Sequence, residues 1–229
     1  IGLESRKSLF ELHANRLKAV GKAAGNIVPW YIMTSEINHR ETVEFFKVHG
    51  NFGYPEDKLG FFPQTMIPAM TPDGNLQLAA KNRVLKSPNG NGGLFMSMRL
   101  QGITDELRAK GVGYIAVTGV DNCLVKMADP LFFGTLLRSR KTGAVAAAKS
   151  YLKRGPDEKA GVFCLRNSRP CVIEYTEIPK KLAEMTDLQG KYVYGDCNLL
   201  SYVFETETVE KLGGDGMQYH TAVKKIKYI

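Results

Sequence analysis

The run "VGYIAVTGV", residues 112–120, constrains this chain more than any other stretch, because an uncharged apolar segment of strand length passes straight into the polar pair Asp121-Asn122. Such a run suits a strand covered on both faces, whereas a strand with one wet face alternates apolar and polar side chains. Helical patterns surround it. Ser8-Leu9-Phe10-Glu11 has the spacing of a capping box, and Leu9, Leu12, Leu17 and Val20 then recur on one face, so a helix is expected over 8–20. "NIVPWYIMTS" reads as a buried strand, with Ser35 placed to cap a helix running to about His49. A short strand is expected at Leu59–Phe62, followed by a loop, "QTMIPAMTPDGN", turned by Pro72-Asp73-Gly74. Helices are expected over 94–100 and over Thr104–Lys110, the second capped by Thr104, and residues 143–149 repeat the apolar strand pattern more weakly. Strand and helix alternating at these spacings predict an α/β fold with a mainly parallel mixed sheet flanked by helices. "GVFCL" and "PCVIEYTEI", separated by Asn167-Ser168-Arg169, predict an antiparallel hairpin. No repeat, low-complexity tract or linker interrupts the chain, which reads as one large domain or most of one.

The net charge of +8 on 229 residues calls for anionic company. Its basic residues are scattered, with a loose cluster only at Lys224, Lys225 and Lys227, and none forms a run interleaved with stacking aromatics. That argues against a nucleic-acid surface; a small phosphorylated ligand satisfies the same excess. Cys123, Cys164, Cys171 and Cys197 never reach C-x-x-C spacing and read as reduced thiols of a cytoplasmic protein. The four histidines form no H-E-x-x-H pair, and no stretch is apolar enough to span a membrane.

Chemistry is expected where polar residues break this pattern. "SPNGNGGLF" places Gly90, Gly92 and Gly93 before an apolar helix; it is either a surface turn or a loop on which a ligand lies against bare main chain. It matches neither G-x-G-x-x-G nor the phosphate loop ending G-K-[ST]. Ligands of open α/β sheets gather beyond the carboxyl ends of strands, where Asp121 stands, although a turn or cap acid fits the same position. Glu174 in "CVIEYTEI" and Asn198 in "GDCNLLSYVF" interrupt apolar strands; each either faces water or reads hydroxyl groups. Asp129-Pro130 reads as a turn.

"KSLFEL", "PWYIMTS", "FFPQTMIPAM", "SPNGNGGLF", "VDNCLVKMADP", "GVFCL…VIEYTEI" and "GDCNLLSYVF" occur in the order found in the eukaryotic UDP-N-acetylglucosamine pyrophosphorylases, which this chain resembles over nearly its whole length. The resemblance implies a Rossmann-like nucleotidyltransferase fold. It also implies a reaction in which UTP and N-acetylglucosamine 1-phosphate give UDP-N-acetylglucosamine and pyrophosphate with Mg²⁺. Carried onto this sequence, it assigns Gln64, Gly90 and Asn91 to the uracil and Asp121 to the ribose, the metal and catalysis. It assigns Gly161, Glu174 and Asn198 to the sugar, with Tyr175 as a wall beside them.

Two positions depart from the family pattern: Thr65 stands where glycine is usual, and Asn89 where aspartate is usual. The family's glycine-rich signature loop is expected upstream of Ile1 and its phosphate-binding lysine beyond Ile229. The chain is therefore expected to be the central portion of one catalytic domain. The alternatives left open are a truncated, non-catalytic relative that binds uridine nucleotides or a protein partner, and a UDP-sugar pyrophosphorylase of broader specificity.

Overall fold

The computed structural model describes residues 4–214, so the Lys224, Lys225 and Lys227 cluster lies outside the described residues. The chain divides into two units, Ala116–Phe204 and the residues on either side of that segment.

In the flanking unit, helix α1 (Leu9–Ala24) begins as the sequence predicts, with Ser8 Oγ accepting the Glu11 N–H at 3.1 Å. Strand β1 (Trp30–Thr34) follows. Helix α2 (His39–Val48) starts later than a Ser35 cap would place it. Asn38 Oδ1 accepts both the N–H and the hydroxyl of Ser35, at 2.7 and 3.0 Å, and the Asn38 N–H donates back to Ser35 Oγ at 3.3 Å, so Ser35 caps the single turn that leads into α2. Strand β2 (Leu59–Pro63) pairs parallel with β1, from Trp30 opposite Leu59 to Thr34 opposite Pro63. Phe46 of α2 is fully buried, and its ring meets those of Phe10, Trp30, Phe52 and Phe61 edge-on at centroid distances of 4.9 to 5.6 Å. Each such pair adds about 0.5–1.5 kcal/mol beyond the area it buries, which makes this cluster the anchor of the β1–β2 pair.

The segment expected to be a plain loop instead contains β3 (Met66–Pro68). Three more short strands follow: β4 (Leu78–Ala80), β5 (Arg83–Val84) and β6 (Lys86–Pro88). β3 pairs antiparallel with β6, and β4 with β5. The Pro72-Asp73-Gly74 turn forms where predicted, Thr71 N–H donating to Asn75 O at 2.8 Å. Helices α3 (Gly93–Leu100) and α4 (Ile103–Ala109) come next. Thr104 is buried inside α4 and Gly102 takes the cap position, because the chain between the two helices has already turned at Gly102.

The other unit carries β7 (Tyr114–Thr118, entering from the flanking unit), α5 (Pro130–Ser139), β8 (Ala146–Leu152), β9 (Val162–Arg166), β10 (Arg169–Ile173) and α6 (Lys180–Ala183). Strand β11 (Asp196–Glu205) then leads back to the flanking unit and its helix α7 (Thr206–Gly214). β11 is the hub of a five-stranded sheet, pairing with β7, β8 and β9, while β10 extends the sheet beyond β9. Val162, Cys197 and Val203 from these strands and Leu136 from α5 are the buried core. Asn167 and Ser168 have φ of 50° and 61°, the pair of positive values that a tight two-residue hairpin turn requires. Asp129 is more than a turn residue: it caps α5, accepting the Leu131 N–H at 3.2 Å, and its other oxygen pairs with Lys149 Nζ at 2.7 Å.

The α/β composition holds, but the expected predominance of parallel pairing does not. β1–β2 is parallel, whereas β3–β6, β4–β5, β8–β11, β9–β10 and β9–β11 are antiparallel. Parallel neighbours need a crossover of a dozen or more residues. The links from β8 to β9 and from β9 to β10 are shorter than that, and the two-residue turn makes β9 and β10 a hairpin. Among the described residues no helix is long and apolar enough to cross a membrane.

Candidate functional site

Gln64, Gly90 and Asn91 belong to the flanking unit, and the β3–β6 pairing brings their neighbourhoods together, Met66 standing opposite Pro88. One step beyond that pair, Asn89 N–H donates to Thr65 O and Asn89 Nδ2 to Thr65 Oγ1, both at 3.1 Å. The two residues that depart from the family pattern are thus bonded to each other. Gln64 is held from behind by its own N–H, which donates to Thr34 O at 2.7 Å.

Ser97, 1 % exposed, ties this assembly to α3. It accepts the Thr65 N–H at 2.9 Å and donates to Gly93 O at 2.7 Å. The loop itself turns through Gly90 at φ 73°, a conformation that costs an L side chain about 1–2 kcal/mol. No atom lies within 4 Å of where a Gly90 side chain would begin, so the loop presents an open face. The N–H groups of Gly90, Asn91 and Gly92 make no hydrogen bond among the described residues. Exposed, unspent amides beside Gln64 form a surface able to read the edge of a planar polar ring.

Asp121, Gly161, Glu174, Tyr175 and Asn198 all lie in the Ala116–Phe204 unit. The turn after β7 is tied to β11 by Gly119 N–H donating to Leu200 O at 3.2 Å, and the exposed Asp121 carboxylate folds back over Gly119. Pairing of β9 with β10 ends at Val162 opposite Ile173, so Gly161 and Glu174 flank the open end of the hairpin. Glu174 is therefore just past the strand rather than within it. Its carbonyl accepts the N–H groups of Glu177 and Ile178, starting the turn that ends β10. A Cβ on Gly161 would stand 2.7 Å from Val172 Cγ1 and 3.3 Å from Glu174 Oε1, so the bare backbone there leaves the carboxylate its place. Asn198 N–H donates to Gly161 O at 2.8 Å, which brings β11 to the same spot.

Four predicted residues thus gather through Gly161 and Leu200 onto one end of β11. Asp121 and Glu174 carboxylates and Asn198 Nδ2 make no hydrogen bond among the described residues. Tyr175 lines an opening of about 350 Å³ with Lys153, Ala160, Val162 and Lys180, and of the predicted sugar residues it alone does so. The sequence reading missed Ser97 and Tyr202. A serine four places after Gly93 in a mostly apolar helix was the available signal for the first; Tyr202, which donates to Asn198 Oδ1 at 2.8 Å, left none. Burial raises the Tyr202 hydroxyl above its ordinary pKa, and the nearby Glu174 charge adds to the rise. Among the described residues no three His, Cys, Asp or Glu side chains gather to hold a metal ion by themselves.

The family model described as UTP--glucose-1-phosphate uridylyltransferase matches residues 1–228. The human UDP-N-acetylhexosamine pyrophosphorylase-like protein 1 is 35% identical, over 100% of this chain and 46% of its own length. The UDP-N-acetylglucosamine pyrophosphorylase of Saccharomyces cerevisiae is 34% identical, over 99% of this chain and 48% of its own. The crystal structure of the uridine diphosphate N-acetylglucosamine pyrophosphorylase from Trypanosoma brucei, in complex with an inhibitor, superposes with a TM-score of 0.82 at 28% identity, covering 93% of this chain and 43% of that one. The chain spans about half the length of the curated relatives it matches.

Proposed function

The chain belongs to the UTP--glucose-1-phosphate uridylyltransferase family, and on that premise we propose that it supplies the base-reading and sugar-reading residues of a UDP-N-acetylglucosamine pyrophosphorylase. The observation that carries this reading is the set of uncommitted polar groups at the positions concerned. They are the amides of Gly90, Asn91 and Gly92 in the flanking unit, and the Glu174 carboxylate and Asn198 Nδ2 in the Ala116–Phe204 unit, none of which has a partner among the described residues.

The uracil edge pairs with the loop amides and Gln64. Glu174 accepts hydrogen bonds from sugar hydroxyls, Asn198 donates to one of the sugar's oxygens, and Gly161, lacking a Cβ, leaves the Glu174 carboxylate its place. So held, the phosphate oxygen of N-acetylglucosamine 1-phosphate attacks the α-phosphorus of UTP in line, and the bond to pyrophosphate breaks. No protein nucleophile takes part, so rate enhancement comes from orientation and electrostatic complementarity. Asp121 is an exposed carboxylate with no hydrogen bond among the described residues, which suits Mg²⁺, an ion that takes one or two protein carboxylates and completes its shell with water and phosphate oxygens. Bound there, the ion would neutralise phosphate charge. A Rossmann-like nucleotidyltransferase domain and a cytoplasmic location belong to the same proposal.

The test is pyrophosphate release from UTP with a panel of sugar 1-phosphates. Release is expected with N-acetylglucosamine 1-phosphate and far less with glucose or galactose 1-phosphate. Equal use of all of them would reassign the protein to broad specificity, and binding of UTP with no release from any would make it a non-catalytic relative.

A further inference from the structure

The amide of Asn198 has a fixed orientation. The Leu200 N–H can only donate, and it lies 2.9 Å from one terminal atom of that amide, so the atom is the carbonyl oxygen Oδ1. The Tyr202 hydroxyl lies 2.8 Å from the same oxygen and must donate to it as well. β11 itself arranges this. Its register against β8 shifts between Asn198 and Tyr202, Leu200 sits at φ 49°, and the resulting bulge lets both donors reach back to one side chain. Both lone pairs of Oδ1 are then occupied, while the two Nδ2 protons have no partner among the described residues. Tyr202, its pKa raised by burial, stays protonated and donating. Ionised Glu174, by contrast, offers only acceptors.

We propose that Tyr202 is a positioning residue that locks Asn198 as a donor, so that Asn198 Nδ2 donates to an acceptor oxygen of the sugar while Glu174 accepts a hydrogen bond from a sugar hydroxyl. This rests on the reading of Asn198 and Glu174 as sugar residues. It makes the site discriminate by hydrogen-bond polarity as well as by shape, because a ligand presenting a donor to Asn198 meets no acceptor.

Calorimetric titration of the full chain with UDP-N-acetylglucosamine and with UDP, for the parent, Tyr202→Phe, Asn198→Asp and Asn198→Ala, tests it. Loss of one hydrogen bond predicts that Tyr202→Phe weakens UDP-N-acetylglucosamine binding about 2- to 10-fold and leaves UDP binding unchanged. Asn198→Asp keeps the acceptor that Leu200 and Tyr202 need but has no donor, so it should lose at least as much sugar-dependent affinity as Asn198→Ala. The proposal is overturned if Asn198→Ala weakens UDP-N-acetylglucosamine binding while Tyr202→Phe does not. Equal weakening of both ligands by Tyr202→Phe, or full affinity in Asn198→Asp, overturns it too. If Asn198→Ala binds UDP-N-acetylglucosamine like the parent, the sugar-site reading itself fails.

Discussion

Gly161 and Glu174 meet because a hairpin ends between them, and neither position can be understood alone. A methyl group on Gly161 would press on Val172 and displace the Glu174 carboxylate. Gly161→Ala should therefore raise the KM for N-acetylglucosamine 1-phosphate without moving that for UTP; steady-state kinetics with each substrate varied would show it, and equal changes in both would contradict it. Gly90 works through backbone conformation instead. At φ 73° a β-branched residue is strained, so Gly90→Val should weaken UDP and UDP-N-acetylglucosamine alike, and unchanged affinity for both would remove the loop from the base site. Glu174 and Asn198, proposed as sugar residues, stand out in the sequence because each breaks an apolar run. Thr65, Asn89 and Tyr202 were not read as site residues. Their roles are hydrogen bonds to one another across β3 and β6, or around a bulge in β11, and residue type does not announce such pairings.

Elements were most legible where local chemistry decides. Ser8 fixed the start of α1, and two consecutive turn residues fixed the β9–β10 hairpin. Boundaries were less legible, as at Ser35, which bonds Asn38 in a single turn ahead of α2 rather than capping its first residue. Helix α5 carries a pH-dependent cap at Asp129. The hydrogen bond from Lys149, helped by its charge and by the Leu131 N–H, holds the Asp129 carboxyl below its ordinary value. Since the folded value lies below the unfolded one of about 3.9, this contribution is complete above that pH and is lost as the pH falls through the depressed value. Asp129→Ala should cost about 1–2 kcal/mol at neutral pH as the cap is lost. Thermal unfolding of parent and variant should show the gap in Tm narrowing on acidification; a constant gap would contradict the pairing.

At the scale of the whole molecule, alternation of strand and helix gave the α/β class, but strand direction depends on link lengths and on which strands find each other. That is why the sheets are mixed where parallel pairing was expected. The division into units also sorts the predicted residues by task. Gln64, Gly90 and Asn91 fall in the flanking unit, and Asp121, Gly161, Glu174 and Asn198 fall in Ala116–Phe204. The central claim is that base and sugar are read by separate sets of side chains. Calorimetry of Glu174→Ala with UDP and with UDP-N-acetylglucosamine tests it most directly. UDP affinity should match the parent while the added affinity conferred by the sugar disappears; an equal loss for both ligands, or no loss for either, would contradict the account.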